Sequence, residues 1–272
     1  MYPVLFHLGT LTIYTYGVLV AAGVVLGIWF GSHDAPRAGL SPIKAWNLGV
    51  YGILVAFATS KLWLVASAWD YYAANPSGLF SAATLQSGGT FYGGLLGGIA
   101  WVLIYTRLQK MPLLRTLDLA AAPVALGHAI GRIGCFMAGC CFGKPTSLPW
   151  GVTFTSDVAA RISGTPLHIA LHPTQLYEAA AEFTNFALLY MLGRRSRVPG
   201  RVVGAYLALY GAERGLLEFL RDDPGRTPLF GGAVSLMQLV SVAMLVSGAA
   251  LVFLARRAAS LNSGEFPGEP AT

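Results

Sequence analysis

Two stretches of this chain run without a charged residue for longer than a helix needs to cross a bilayer. They are Leu8 to Ser32, 25 residues, and Thr227 to Ala255, 29 residues. About 20 apolar residues, rising 1.5 Å each, cover the hydrocarbon core, so at least two segments are expected to span a membrane. The remaining composition agrees: of 272 residues, 55% are hydrophobic and 11% charged, with a mean hydropathy of +0.59. Soluble enzymes, DNA-binding modules and secreted disulfide scaffolds are thereby excluded. The formal charge of +6 is read as membrane topology rather than nucleic-acid affinity.

Further apolar blocks run roughly over 45–69, 88–106, 117–137, 173–192 and 202–220. With the two long stretches they predict an all-α integral membrane protein of about seven transmembrane helices. Residues 1–258 are expected to form a single transmembrane catalytic domain, with an outer connection at about 142–172. Residues 259–272 read as a disordered cytoplasmic tail. The first ten residues, MYPVLFHLGT, hold no Lys or Arg, so no cleaved signal peptide is expected. No internal repeat is visible.

Lys and Arg accumulate in cytoplasmic loops. Eleven of them fall on one side of a seven-span chain: Arg37 and Lys44; Arg107, Lys110 and Arg115; Arg194, Arg195, Arg197 and Arg201; and Arg256 and Arg257. Four fall on the other, Lys144, Arg161, Arg221 and Arg226. The N-terminus is therefore expected outside and the C-terminus in the cytoplasm.

Three basic residues lie inside the expected spans: Lys61, Arg132 and Arg214. A charge at that depth costs about 2.5–3.5 kcal/mol on insertion scales and is kept where it faces a polar cavity with a partner. Glu178, Glu182, Glu213 and Glu218 are the available partners. In the seven-span topology Arg132, Arg214, Glu178 and Glu218 all fall in the outer half, which suggests a polar cavity opening outward; Lys61, also in that half, is short enough of the interface to snorkel. Structural ion pairs between helices are the plainer alternative. Arg214, Glu218 and Arg221 sit at i, i+4 and i+7, on one helical face. A planar guanidinium fork suits a phosphodiester, because it offers two parallel charge-assisted hydrogen bonds. Within a membrane that ligand is a phospholipid headgroup.

The third block opens QSGGTFYGGLLGG, with six glycines from Gly88 to Gly98. Small residues at four-residue spacing, Gly89–Gly93–Gly97 and Gly94–Gly98, predict close helix packing. Glycines at the outer mouth, with Tyr92 among them, also leave room for a bulky lipid.

YGGLLG, GRIG with the glycine-rich turn that ends at Gly143, HPTQLYE, ERGLLEFLRDD and SLMQ occur in that order. The chain resembles the prolipoprotein diacylglyceryl transferase family along nearly its whole length. The resemblance implies an inner-membrane enzyme that transfers the diacylglyceryl group of phosphatidylglycerol to the lipobox cysteine thiol of a prolipoprotein, releasing glycerol phosphate. It also implies residues. Arg132 contacts the lipid headgroup, and Arg214 is essential, with Glu218 and Arg221 completing its motif. Gly93, Gly94, Gly143, His172, Gln175, Tyr177, Glu178, Ser235 and Gln238 line the substrate site. Arg132 and Arg214 aimed at the leaving phosphate would stabilise charge that develops in the transition state. No metal or cofactor is expected, since the five histidines are scattered and form no ligand motif. Phosphatidylglycerol, the prolipoprotein and the bilayer are the expected partners, and no nucleic acid is.

The chain departs from the family pattern twice. Where many members have a histidine proposed to activate the thiol, it has Tyr92, a phenol and a weaker base at neutral pH. Where an asparagine commonly follows GR-x-G it has Cys135, and an NGE-like stretch is replaced by Ala138–Cys141, AGCC. Tyr92 remains the positional candidate for catalysis and Cys135 for substrate contact. Cys135, Cys140 and Cys141 are open to three readings: small-residue packing, a disulfide if Gly139 breaks the helix, or a covalent acceptor. A non-catalytic phospholipid-binding relative and a transferase with another acceptor are the alternatives in function. A small transporter would show paired halves with broken helices, and none is seen.

Overall fold

A computed structural model describes residues 2–9, 11–81, 84, 89–222, 228–229 and 234–264. The fold is mostly helical. Among the described residues, five helical stretches are long and apolar enough to cross a membrane: Thr15–Ala38, Pro42–Ser67, Phe91–Leu108, Leu113–Ala138 and Leu236–Leu261. Their outward faces carry large apolar side chains, among them Leu26, Trp29, Leu54, Phe57, Val246 and Phe253. In water such faces would be a liability; against lipid they are the solvated surface. The chain divides into two compact units, residues 1–31 with 117–272, and residues 32–116.

The discontinuous unit opens with an antiparallel hairpin of β1 (Val4–Leu8) and β2 (Leu11–Tyr14). Helix α1 (Thr15–Asp34) follows. The first expected span, which began at Leu8, therefore begins late: alternating residues around Gly9, whose φ is +59°, turn back on themselves before the helical run starts.

In the second unit, α2 (Pro42–Ser67) starts with Pro42 in its first turn and the Ser41 side chain accepting from the Lys44 amide. A short α3 (Trp69–Ala74) and α4 (Phe91–Leu108) follow. Of the two glycine stripes in α4, Gly93–Gly97 faces α2. A Cβ on Gly97 would stand 2.0 Å from Thr59 Oγ1 and one on Gly93 2.5 Å from Trp63 Cβ. Gly98, by contrast, has open space. Trp101 Nε1 donates to Leu48 O at 3.0 Å across the same interface.

Helix α5 (Leu113–Ala138) returns to the first unit and crosses α1 at glycines. A Cβ on Gly23 would lie 2.8 Å from Gly127 O, and one on Gly31 3.3 Å from the ring of Pro123. After α5 come β3 (Val152–Thr153), the short α6 (Asp157–Ser163) and β4 (Ala170–Leu171), a compact cap over Phe142, Phe154 and Leu171.

Helices α7 (Thr174–Arg195) and α8 (Arg201–Leu217) coincide with the fifth and sixth expected spans. They bury Glu178, Glu182 and Arg214, and neither is among the five stretches long and apolar enough to cross a membrane. The Asp118 carboxylate of α5 caps α8, accepting from the amides of Gly200, Val202 and Val203 at 2.7–2.9 Å. A short ribbon of β5 (Pro228–Leu229) and β6 (Val234–Ser235) precedes α9 (Leu236–Gly264). The last span thus starts at Leu236 rather than Thr227. Its helix continues through Gly264, six residues into the expected tail, of which 265–272 lie outside the described residues.

Candidate active site

Residues 128, 132 and 135 of α5 fall at i, i+4 and i+7 and share one face. That face meets α7, where Glu178 and Glu182 are again four apart. Arg132 Nη2 lies 2.7 Å from Glu178 Oε2, and His128 Nε2 lies 3.3 Å from Glu178 Oε1. Arg132 and Glu178 are buried, at 7% and 2% exposure. A buried charge pair persists only with its partners in place, so this junction fixes the register of two helices. Among the described residues, Arg132 Nε is buried without a hydrogen-bond acceptor. A buried guanidinium donor left this way calls for a ligand oxygen.

Arg214 and Glu218, at the end of α8, are equally buried and pair at 2.7 Å. Glu178 and Tyr210 each lie within electrostatic reach of both Arg132 and Arg214. The two arginines that the family pattern singles out thus act on one region. Arg221 bridges to Gly143, while the Lys144 amide donates to Leu220 O at 2.8 Å. A side chain at 143 would collide with His172, Leu220 and Thr174, all at 2.7–2.8 Å. Glycine is what lets three segments meet there.

Deeper along the same helices, Asn185 donates to Glu182 and to Glu213, at 3.3 and 2.9 Å. Glu213 therefore faces α7 rather than Arg214's face.

The remaining candidates play several parts. Gln175, fully buried, donates to Cys140 O at 2.7 Å, and Thr174 donates to Cys141 O at 2.8 Å. Tyr177 joins a separate polar group: Trp150 Nε1 donates to its hydroxyl at 2.8 Å, and His172 Nδ1 lies 3.3 Å away. Ser235 and Gln238 form a reciprocal capping box at the start of α9, with Ser235 N donating to Gln238 Oε1 and Gln238 N to Ser235 Oγ. Ser235 also hydrogen-bonds the Glu218 carboxylate. Tyr92, Gly93 and Gly94 belong to the second unit. Tyr92 is exposed and stacks edge-on against Phe91, and Gly93 serves the α2–α4 packing. Lys61 donates to Thr84 O at 2.5 Å and lies over the Phe57 ring.

The structure gathers the three cysteines, all of them free thiols. Helix α5 stops at Ala138; Gly139 and Cys141 adopt φ of +80° and +59°. That left-handed turn folds Cys140 and Cys141 back, and the three Sγ atoms lie within 4.8 Å of one another. Arg132 Nη1 is 3.7 Å from Cys135 Sγ. Hydrogen bonds from Cys135 and Cys140, then the Arg132 and Arg221 guanidiniums, hold the Cys141 thiol well below the ordinary thiol range. Its neighbour Cys140 is pushed up by its hydrogen bonds to the other two and by burial.

His128 and Asp118 were not among the residues singled out from sequence. His128 carried a usable signal, its four-residue spacing to Arg132. Asp118 carried none, since its partner helix starts some 80 residues later.

In a helical fold with membrane-spanning stretches, buried arginines each backed by a glutamate have the chemistry to take an anionic group. The profile of the prolipoprotein diacylglyceryl transferase family matches residues 3–254, and the chain belongs to that family. Relatives include the phosphatidylglycerol–prolipoprotein diacylglyceryl transferase of Clostridium tetani, 37% identical over 82% of this chain and 87% of its own length. That of Clostridioides difficile is 31% identical over 93% and 96%, and that of Nostoc sp. 32% identical over 94% and 90%.

Proposed function

We propose that this protein transfers the diacylglyceryl group of phosphatidylglycerol to the lipobox cysteine of a prolipoprotein. The observation that carries the reading is Arg132, a guanidinium buried among helices, held by Glu178 and left with an unsatisfied donor. The family membership supplies the reaction. The headgroup phosphate binds Arg132 and Arg214. A thiolate attacks the glycerol carbon bonded to phosphate oxygen, the C–O bond breaks, and glycerol phosphate leaves with the electron pair. Charge grows on that oxygen as the bond breaks, so the arginines stabilise the transition state more than the bound lipid.

The chain sits in the bacterial inner membrane with seven spans, and α5, α7 and α8 carry the site residues Arg132, Glu178 and Arg214. The Lys and Arg distribution supports an outside N-terminus and a cytoplasmic C-terminus. Of the residues that the resemblance implies, Arg132, Arg214 and Arg221 hold the headgroup phosphate, Glu178 and Glu218 hold the first two guanidiniums in place, and Gly143, Gln175 and Ser235 support that arrangement. Tyr92, Gly93 and Gly94, which the resemblance also implies, belong to the second unit.

The test supplies detergent-purified protein with phosphatidylglycerol and a lipobox peptide and weighs the peptide by mass spectrometry. A diacylglyceryl adduct on cysteine, lost in Arg132→Ala, is expected. Lipid binding without any adduct would overturn the transferase reading in favour of a lipid-binding relative.

A further inference from the structure

The chain has three cysteines, and the fold brings all of their sulfurs together although they span the end of a helix and a turn. Two of the bends that produce that convergence are left-handed, and one of these is at a non-glycine residue, Cys141, where such a φ is uncommon. The backbone at the bend is clamped from α7, by Gln175 on Cys140 O and Thr174 on Cys141 O. A turn held from outside in a disfavoured shape is a turn that positions something.

Three sulfurs around one zinc ion, each at about 2.3 Å, stand roughly 3.8–4.0 Å apart. The observed cluster, within 4.8 Å, closes to that by small side-chain adjustments. Three thiolates and Zn²⁺ sum to one negative charge. Arg132, 3.7 Å from Cys135 Sγ, and Arg221, which acts on Cys141, offset it. Among the described residues, no fourth His, Cys, Asp or Glu joins the group. Structural zinc sites are closed by four protein ligands, whereas catalytic sites offer three and leave one position open.

We propose that Cys135, Cys140 and Cys141 bind Zn²⁺ through three thiolates, and that the fourth position takes the cysteine thiol of the acceptor. The inference rests on the transferase reading. Zinc binding displaces to solvent the protons that the cysteine thiols still carry, Cys141 being a thiolate already. The acceptor thiol coordinates and loses its proton to water, because the metal lowers its pKa. Its sulfur lone pair then attacks the glycerol carbon, the C–O bond breaks towards phosphate, and the thioether formed is a weak ligand that departs. Zinc keeps its oxidation state throughout. Such a site activates a thiol without a strong base.

The full chain, purified in detergent under reducing conditions with zinc supplied, is analysed for bound metal. It is then chelated and reloaded with Co²⁺, and its visible spectrum is recorded before and after the lipobox peptide is added. One zinc per chain, a tetrahedral thiolate–cobalt spectrum and a change in that spectrum on adding peptide are expected. Cys135→Ser, Cys140→Ser, Cys141→Ser and the triple variant lose the metal while circular dichroism keeps its helical signal. Loss of helicity in a variant transfers the decision to the chelated native chain. No stoichiometric zinc in native protein, or a disulfide between two of the three in its place, overturns the proposal. A cobalt spectrum indifferent to the peptide overturns the acceptor-binding role. Adduct formation that persists after full chelation also overturns it while leaving the transferase reading intact. Zinc binding by a chain that makes no adduct would strike the transferase reading instead.

Discussion

Glu178 of α7 lies 2.7 Å from Arg132 of α5, and both are buried. Removing one member of such a pair strands the other charge at a cost of about 3–5 kcal/mol. Glu178→Gln should therefore lower the thermal unfolding midpoint and abolish transfer together. Arg132→Lys keeps the charge but not the fork, and its expected result is near-native stability with transfer lost. An unchanged midpoint in Glu178→Gln would remove the pair from the fold's support.

At Arg214 the prediction concerns rate. Loss of one preorganised donor to a developing oxyanion costs about 10²–10³ in turnover. Arg214→Lys should show that drop in kcat with a modest rise in KM for phosphatidylglycerol. Glu218→Gln, which frees the guanidinium held at 2.7 Å, should show a smaller drop of the same kind.

Gly143→Ala puts a methyl group into contact with His172, Leu220 and Thr174. Overpacking of this sort costs about 1–3 kcal/mol. Proteolysis in the 139–172 connection should accelerate, and transfer should fall because Arg221 is bridged to this residue.

Cys141 gives a pH prediction on metal-free protein. Its folded pKa is depressed, so its thiolate persists at pH values where an ordinary thiol, near pKa ~8.5, is protonated. Iodoacetamide at mildly acidic pH should label Cys141 before Cys140 or Cys135, as read by peptide mass spectrometry. Denaturation should erase the preference. Labelling of Cys140 first would contradict the assignment.

Asp118→Ala removes the acceptor for three amides at the start of α8. Loss of a cap costs about 0.5–2 kcal/mol. A lowered midpoint with transfer retained separates this end of α8 from the chemistry at the other.

Much of this was legible from charge alone. Lys61, Arg132 and Arg214 stand out because charges are expensive at membrane depth, and Arg214 and Glu218 pair as their four-residue spacing predicts. The positions of the first and last spans were misjudged because hydropathy does not distinguish an apolar hairpin from an apolar helix. Hence Leu11–Tyr14 and Val234–Ser235 read as span and fold as strand. Gly139 was legible as the break that would move Cys140 off the helix. The convergence of all three sulfurs was not, because it depends on the left-handed Cys141 and on clamps from Thr174 and Gln175, over 30 residues away. Ser235 and Gln238 were read through the family as substrate contacts, and they also spell a capping box, S-x-x-Q, that was there to be seen.

The unit that holds the arginines is discontinuous, with α1 at one end of an interruption of about 85 residues and α5 at the other. A ribosome working at about 5–20 residues per second takes roughly 4–17 seconds to cross that gap. For that interval α1 is in the bilayer without the Gly127 and Pro123 surfaces that its own glycines fit. Its exposed glycine stripe is then open to other helices, so the newborn chain depends on whatever shields it until α5 arrives.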